Sequence, residues 1–483
     1  MGSIKEDTAH GVKWSLAERI ATQGIQFALG FILARLLTPS DYGLVGMLAI
    51  FIAVSENIVD SGFSKALIRK KNRDETDFST AFYFNVAVGL GCYAALYASA
   101  GAIAEFFDSP ELRELTKVMA LTLLINSLGV VQTARLTIAV DFKSQAKASA
   151  SAALASGLLG VWLAYSGMGV WALAWQAVAK SVINTSILWY TAHWQPQLKF
   201  SFKSFNTLFG YGSKLLAASI INTIHGQLTT LVIGKWHTAA ALGNYTRGQQ
   251  FATLPSYQVT SVLQRVTFPI LARLQDDRLA LIGAYRKYVR GSSLGIMFMT
   301  MLLVSLAKPT VELLLTDKWA GAVAYLQVYA FAVMFDHINQ INMNLLQING
   351  RTGLFLRLEV AKKLISLAML AASVPFGVMA ICLSRVAYAQ VAVLINTWST
   401  GRIYGLGYRV QSRDFMPYLL ISALCCAPAY ALSETATLPP IICIVAGGTV
   451  ATALYATVLH ITKDDIYESV ITPYIEKIFR REK

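Results

Sequence analysis

Apolar stretches of this chain carry charges that hydrocarbon does not tolerate: Glu18, Arg19, Glu56, Asp60, Lys180, Lys214, Arg247, Asp336, His337 and Arg385. Arg19, Lys180, Lys214, Arg247 and Arg385 are cations able to hold an anionic group, arginine as a planar fork to two oxygens and lysine as a point charge. Glu56 and Asp60 are spaced to share one helix face a turn apart. They could pair with Arg19 or Lys214 as a gate, lock two helices together, or take up a coupling ion such as a proton or sodium. Glu18 lies about 100° around a helix from Arg19, so the two do not simply face each other. Asp336 and His337 form either a proton site, since imidazole titrates near neutrality, or a satisfied buried pair. The amides that follow, Asn339, Gln340, Asn342, Asn344, Gln347 and Asn349, suit water and sugar hydroxyls, or hydrogen-bonded helix packing.

Each such group costs about 3 kcal/mol or more inside a bilayer, so it must face a partner or a wet space. The elements that would position them are membrane helices. The chain has 483 residues, 55% hydrophobic and 14% charged, with mean hydropathy +0.51. Soluble chains carry about 25% charged residues, and apolar runs near 20 residues recur here throughout. The expected class is an all-α integral membrane protein of about fourteen transmembrane helices, at 12–37, 42–63, 78–105, 112–136, 144–165, 169–191, 207–234, 240–266, 282–306, 320–347, 355–374, 377–401, 414–433 and 438–460. No connection is long enough to fold as a soluble domain. The expected divisions are a six-helix lobe with its linker at 1–200, a second six-helix lobe at 201–410, two further helices at 411–461, and an amphipathic tail at 462–483 lying on the membrane.

The net charge of +14 raises the question of nucleic acid, and its distribution answers it. Most of the 41 lysines and arginines fall in alternate loops (65–73, 135–147, 199–203, 265–290, 351–363 and 402–413) and at the two ends. That is the positive-inside pattern, not a nucleic-acid stripe, and it puts both termini in the cytoplasm, facing anionic lipid. The five cysteines all sit in apolar runs, without the spacing of a metal site. There is no Walker loop, HExxH or nucleophile elbow to support ATP-driven or hydrolytic chemistry. An internal repeat is visible at a shift of 200 residues: Arg35 falls on Lys235, Thr38 on Thr238, Gly43 on Gly243 and Phe51 on Phe251. Transporters show such weak symmetry between two bundles.

Three segments carry a family resemblance. Arg35-Leu36-Leu37-Thr38-Pro39-Ser40-Asp41-Tyr42-Gly43-Leu44, Asp60-Ser61-Gly62-Phe63-Ser64-Lys65-Ala66-Leu67-Ile68-Arg69 and Leu242-Gly243-Asn244-Tyr245-Thr246-Arg247-Gly248-Gln249-Gln250-Phe251 resemble the polysaccharide transport family of bacterial oligosaccharide-lipid exporters. The resemblance implies a flippase of the multidrug/oligosaccharidyl-lipid/polysaccharide exporter superfamily: two pseudo-symmetric six-helix lobes around a cavity, plus two C-terminal helices. It implies translocation of undecaprenyl-pyrophosphate-linked repeat units across the inner membrane for O-antigen, capsule or exopolysaccharide. No cofactor is expected beyond a coupling proton or sodium ion, and no bound metal. Expected partners are the lipid-linked oligosaccharide, membrane lipids, and a polysaccharide polymerase with its chain-length machinery. On this reading Arg19, Lys214, Arg247, Arg385 and Lys180 would meet the pyrophosphate. Glu18, Glu56, Asp60, Asp336 and His337 would gate or couple, and Asn339, Gln340 and Asn344 would meet sugars. Alternatives are a drug or organic-cation antiporter of the same superfamily, which would want an acidic cavity, and a membrane polymerase or glycosyltransferase, which would want a large outer loop.

Overall fold

The computed structural model describes residues 24–435 and 438–471, and among them there are helices and loops but no strand. Glu18 and Arg19 lie outside the described residues, as does the tail beyond residue 471. The chain forms two compact units, Met1–Gly243 and Asn244–Lys483.

The first unit contains α1 (Gly24–Leu36), α2 (Pro39–Asp60), α3 (Phe63–Arg69), α4 (Glu75–Phe106), α5 (Leu112–Ser127), α6 (Val130–Ile138), α7 (Phe142–Tyr165), α8 (Val170–Ala192) and α9 (Phe202–Trp236). Helix α2 begins three residues before the apolar run because Thr38-Pro39-Ser40-Asp41 is a capping box. The Asp41 amide donates to Thr38 Oγ1 at 3.3 Å, the Thr38 amide donates to Asp41 Oδ2 at 2.8 Å, and Pro39 needs no partner for its missing N–H. The repeat partner Thr238 caps α10 (Ala239–Arg273) with one half of that box, accepting from the Ala241 amide at 3.2 Å.

The register of the repeat is written in glycine. A Cβ on Gly43 would stand 1.8 Å from the Ala239 carbonyl oxygen, and one on Gly243 would stand 1.8 Å from that of Pro39. The 200-residue shift exchanges these two contacts. A second close approach sets α9 against the break between α2 and α3. There Gly62 has φ +69°, and a Cβ on it would meet the Gly212 carbonyl at 2.6 Å. Phe63, Phe78, Phe82 and Trp194 fill the adjacent core.

The second unit continues with α11 (Arg278–Ser305), α12 (Ala307–Leu315), α13 (Ala320–Val333), α14 (Asp336–Ile348), α15 (Thr352–Ser373), α16 (Val378–Tyr404), α17 (Tyr408–Thr435) and α18 (Pro440–Ile461). A sealed polar network joins four of these helices. Gln411 accepts from Tyr285 at 2.7 Å and from Asn342 at 2.9 Å, and donates to the Leu406 carbonyl at 2.7 Å; Thr400 donates to Asn342 at 2.8 Å. All four side chains are fully buried. Asn342, one of the amides read from the sequence as facing water or sugar, is therefore spent on packing. Arg286 clamps the buried Asp414 with two bonds, at 2.9 and 2.7 Å, holding α17 to α11.

Among the described residues ten helical stretches, of 22 to 35 residues, are long and apolar enough to cross a membrane. Helices α8, α10 and α15 fall outside that set; α8 carries Lys180, α10 carries Arg247, and α15 carries Arg357, Glu359, Lys362 and Lys363. Polar residues turned inward lower the mean hydropathy of a helix without changing its length.

Gln411→Leu removes one side chain and orphans several buried groups, each worth about 1–3 kcal/mol when unpaired. The purified protein in detergent is expected to melt several degrees lower. An unchanged melting temperature would show that the network contributes nothing to the second unit.

Candidate functional site

Inside the first unit lies a cavity of about 600 Å³. Its walls are helix stripes at three- and four-residue spacing: Ile52, Glu56 and Asp60 from α2; Thr122 and Asn126 from α5; Lys180, Ser181, Asn184 and Thr185 from α8. Gln26 of α1 and Ser149 of α7 complete the polar lining. Glu56 and Lys180 are both exposed to this space and feel each other's charge. Asp60 ends α2, where the helix dipole disfavours a carboxylate. Its compensation is local, the neighbouring Ser64 and the charge of Lys65, brought near by the left-handed Ser61 and Gly62 that turn the chain into α3.

The opposite wall is a broken helix. α5 stops at Ser127 and α6 starts at Val130, with Gly129 on the cavity surface. The freed carbonyls are taken by α8: Trp189 Nε1 donates to Leu128 at 2.9 Å and Thr185 Oγ1 to Ile125 at 3.3 Å. Unwound backbone at membrane depth is tolerated where it lines a cavity or is buried in protein, and here it is both.

The second unit has a corresponding break between α13 and α14, at Met334 and Phe335. The Val333 carbonyl accepts from Ser256 Oγ at 2.9 Å. Asp336 opens α14, the end of a helix that favours a carboxylate, and lies 3.7 Å from Arg385 of α16. Neither partner is sealed off, with 31% of the arginine and 42% of the aspartate side chain accessible. Tyr388 lies under the guanidinium at 5.2 Å, and the nearby Tyr329 accepts from Gln249 at 2.8 Å.

Of the residues singled out from sequence, Glu56, Asp60 and Lys180 come together in one cavity, and Arg385 and Asp336 in one ion pair. His337 does not join its neighbour: it is fully buried, with Nε2 3.0 Å from Ser293 Oγ. Lys214 is exposed on α9, away from the cavity lining. Arg247 donates to Gln250 at 2.6 Å and stacks over Trp319 at 5.8 Å. Asn339 accepts from Asn396 at 2.9 Å, Gln340 reaches Asn344 at 3.5 Å, and Asn344 is buried. Among the described residues no three His, Cys, Asp or Glu side chains gather as a metal site needs.

The sequence reading missed Thr122, Asn126, Ser181, Asn184 and Thr185. The signal was present, since Ala177, Lys180, Ser181, Asn184, Thr185 and Leu188 trace one face of α8.

Residues 32–324 match the sequence profile of the family described as polysaccharide biosynthesis protein. The chain belongs to that family. Among relatives of this polysaccharide biosynthesis protein, the lipopolysaccharide biosynthesis protein WzxC of Escherichia coli is 25% identical over 74% of each chain. The teichuronic acid biosynthesis protein TuaB of Bacillus subtilis is 24% identical over 88% of this chain and 89% of its own. The fold is that of the lipid II flippase MurJ in an inward closed conformation, with TM-score 0.73 at 13% identity over 94% of this chain and all of that one. An inward-facing multidrug resistance MATE family transporter of the MOP superfamily matches with TM-score 0.57 at 15% identity over 80% of this chain and 98% of its own.

The cavity in this polysaccharide biosynthesis protein is expected to be wet. Four of the five native cysteines are buried and the fifth, Cys92, is half-buried. In a cysteine-free background, Asn184→Cys should react with a water-soluble charged thiol reagent, whereas a cysteine restored at Cys443 should not. Equal inertness of the two would mean that water does not reach Glu56 and Lys180.

Proposed function

We propose that the chain is a flippase moving undecaprenyl-pyrophosphate-linked oligosaccharide repeat units across the bacterial inner membrane by alternating access. It would serve O-antigen, capsule or exopolysaccharide synthesis. The observation that carries the reading is Arg385, a cation held part-open within α16 of a membrane protein from a polysaccharide biosynthesis family. A carboxylate one ion-pair distance away balances its charge and holds it in place until a diphosphate arrives to compete for it.

The work such a protein must do is set by solvation. A diphosphate with several sugars leaves many polar groups unpaired in hydrocarbon, each costing several kcal/mol. A lined path replaces their water, while the prenyl chain stays in lipid. Arg385, Lys214, Arg247, Lys180 and Arg19 supply positive charge along that path, and the amides Asn339, Gln340 and Asn344 supply sugar contacts. A potential negative inside favours expulsion of the anionic headgroup by about 2.3 kcal/mol per charge per 100 mV. Glu56, Asp60 and Lys180 in the first unit, with Glu18, would form a station for a coupling proton or sodium ion, and Asp336 and His337 would each offer a further, separate gating or coupling group. Fourteen spans, cytoplasmic termini and coupling to a polymerase and its chain-length machinery complete the reading, with transport rather than catalysis as the activity.

The first-unit cavity favours one rival. Two carboxylates against one lysine make it a cation site rather than an anion site, and the fold is shared with a MATE transporter. On that second reading the chain exports organic cations, and efflux of a fluorescent cation from energised cells would reveal it.

Flipping of lipid-linked oligosaccharide is to be measured in cells or proteoliposomes with Arg19, Lys214 and Arg385 neutralised one at a time. Loss of one charge-assisted contact should slow flipping about tenfold or more for Arg385→Gln. Asp336→Asn should alter the rate without abolishing it. Full activity in all three neutralised variants would remove the cationic path.

A further inference from the structure

A second concavity, of about 860 Å³, lies in the second unit among α15, α16 and the start of α17, at the basic loop 402–413. Its wall is apolar, built from Leu358, Ala361, Leu394, Ile395 and Trp398. Its floor is open because the turn from α16 to α17 is made of glycines. Gly405 has φ +77°, and a Cβ on Gly401 would stand 2.9 Å from Gly407 Cα. Leu394 and Trp398 are about half-exposed, at 48% and 54%.

The chemistry changes abruptly at the mouth. Arg402 and Arg409 both line the groove and both are exposed. Arg402 stacks on Trp398 with its guanidinium carbon 4.0 Å from the ring centroid. Neither arginine forms an ion pair among the described residues, whereas three basic residues of the neighbouring α11 do find work. Arg286 holds Asp414, Arg290 holds Asp464, and Arg278 donates to the Ile403 carbonyl at 3.2 Å. Tyr408, Arg409 and Val410 of the first turn of α17 line the same mouth, and that turn, at the positive end of the helix, contains no acidic residue.

We propose that this groove holds an anionic glycerophospholipid as a resident lipid distinct from the transported one. An acyl chain lies along Leu358, Leu394 and Ile395, and the phosphate sits between Arg402 and Arg409 at the start of α17. The argument is charge complementarity. Two guanidinium forks without a carboxylate, a helix N-terminus and an aromatic at headgroup depth meet a long apolar trough, and the molecule with that polarity is a phospholipid. A zwitterionic headgroup would bring an ammonium against two arginines and be disfavoured. The site shares no residue with the Arg385–Asp336 pair or with the lining of the first-unit cavity, so its failure leaves the flippase reading untouched.

The test is native mass spectrometry of the full chain, delipidated in mild detergent and titrated with phosphatidylglycerol, phosphatidylethanolamine and undecaprenyl phosphate of equal concentration. One phosphatidylglycerol should be retained in about tenfold preference to phosphatidylethanolamine, and the preference should vanish in Arg402→Gln/Arg409→Gln. The control Lys199→Gln/Lys203→Gln, which removes two cations from another basic loop, should retain the lipid as the parent does. Three outcomes overturn the proposal: the arginine variant retains phosphatidylglycerol, both double variants lose it equally, or undecaprenyl phosphate displaces it from the parent at equimolar ratio. The last would make the groove a station for the transported lipid. Unchanged melting of the arginine variant without lipid excludes misfolding as the cause of a loss.

Discussion

A charge inside a membrane survives only where something answers it, and that constraint shapes both units. In the first, Lys180 of α8 is answered by Glu56 of α2 across open space, and Asp60 by Ser64 and Lys65 beyond a left-handed turn. In the second, Arg385 of α16 is answered by Asp336 at the start of α14. An isolated charge at such depth costs about 3 kcal/mol on the mildest scale. Packing an all-apolar bundle would have been cheaper. These pairs are therefore retained against a stability gradient, which is the usual mark of groups kept for what they bind.

The same constraint explains the two broken helices. Ending α5 at Ser127 and α13 at Val333 releases carbonyls that lipid cannot satisfy. Side chains from other helices take them, Trp189 and Thr185 in one case and Ser256 in the other. The breaks fall in corresponding helices of the two halves, and one exposes Gly129 to a cavity while the other presents Asp336 to Arg385. Interrupted helices at matching positions are where transporters of unrelated sequence place their substrates.

Much of this was readable before any coordinates. Hydropathy found the all-helical class, with ten of the fourteen expected spans long and apolar enough to cross a membrane among the described residues, and the repeat register found Thr38 with Thr238 and Gly43 with Gly243. These now stand as matching caps and reciprocal backbone contacts. The four-residue spacing of Glu56 and Asp60 placed them on one face. What could not be read is what lies opposite that face. Pairing of α2 with α8 is a long-range fact, and helix α8 hides its polar stripe within an otherwise apolar run. The break at Met334 and Phe335 has no glycine or proline to announce it. Adjacent charges also misled: Asp336 and His337 look like a pair in sequence, yet neighbours on a helix point about 100° apart, and they turn to Arg385 and Ser293 respectively.

The central claim is that an in-membrane guanidinium receives the anionic headgroup of a lipid-linked sugar. The most direct measurement is an experimental density map of the purified chain bound to an undecaprenyl-diphosphate oligosaccharide. The account predicts the diphosphate within hydrogen-bonding reach of Arg385, with Asp336 displaced from it. A diphosphate resting elsewhere, with the Arg385–Asp336 pair intact, would contradict it.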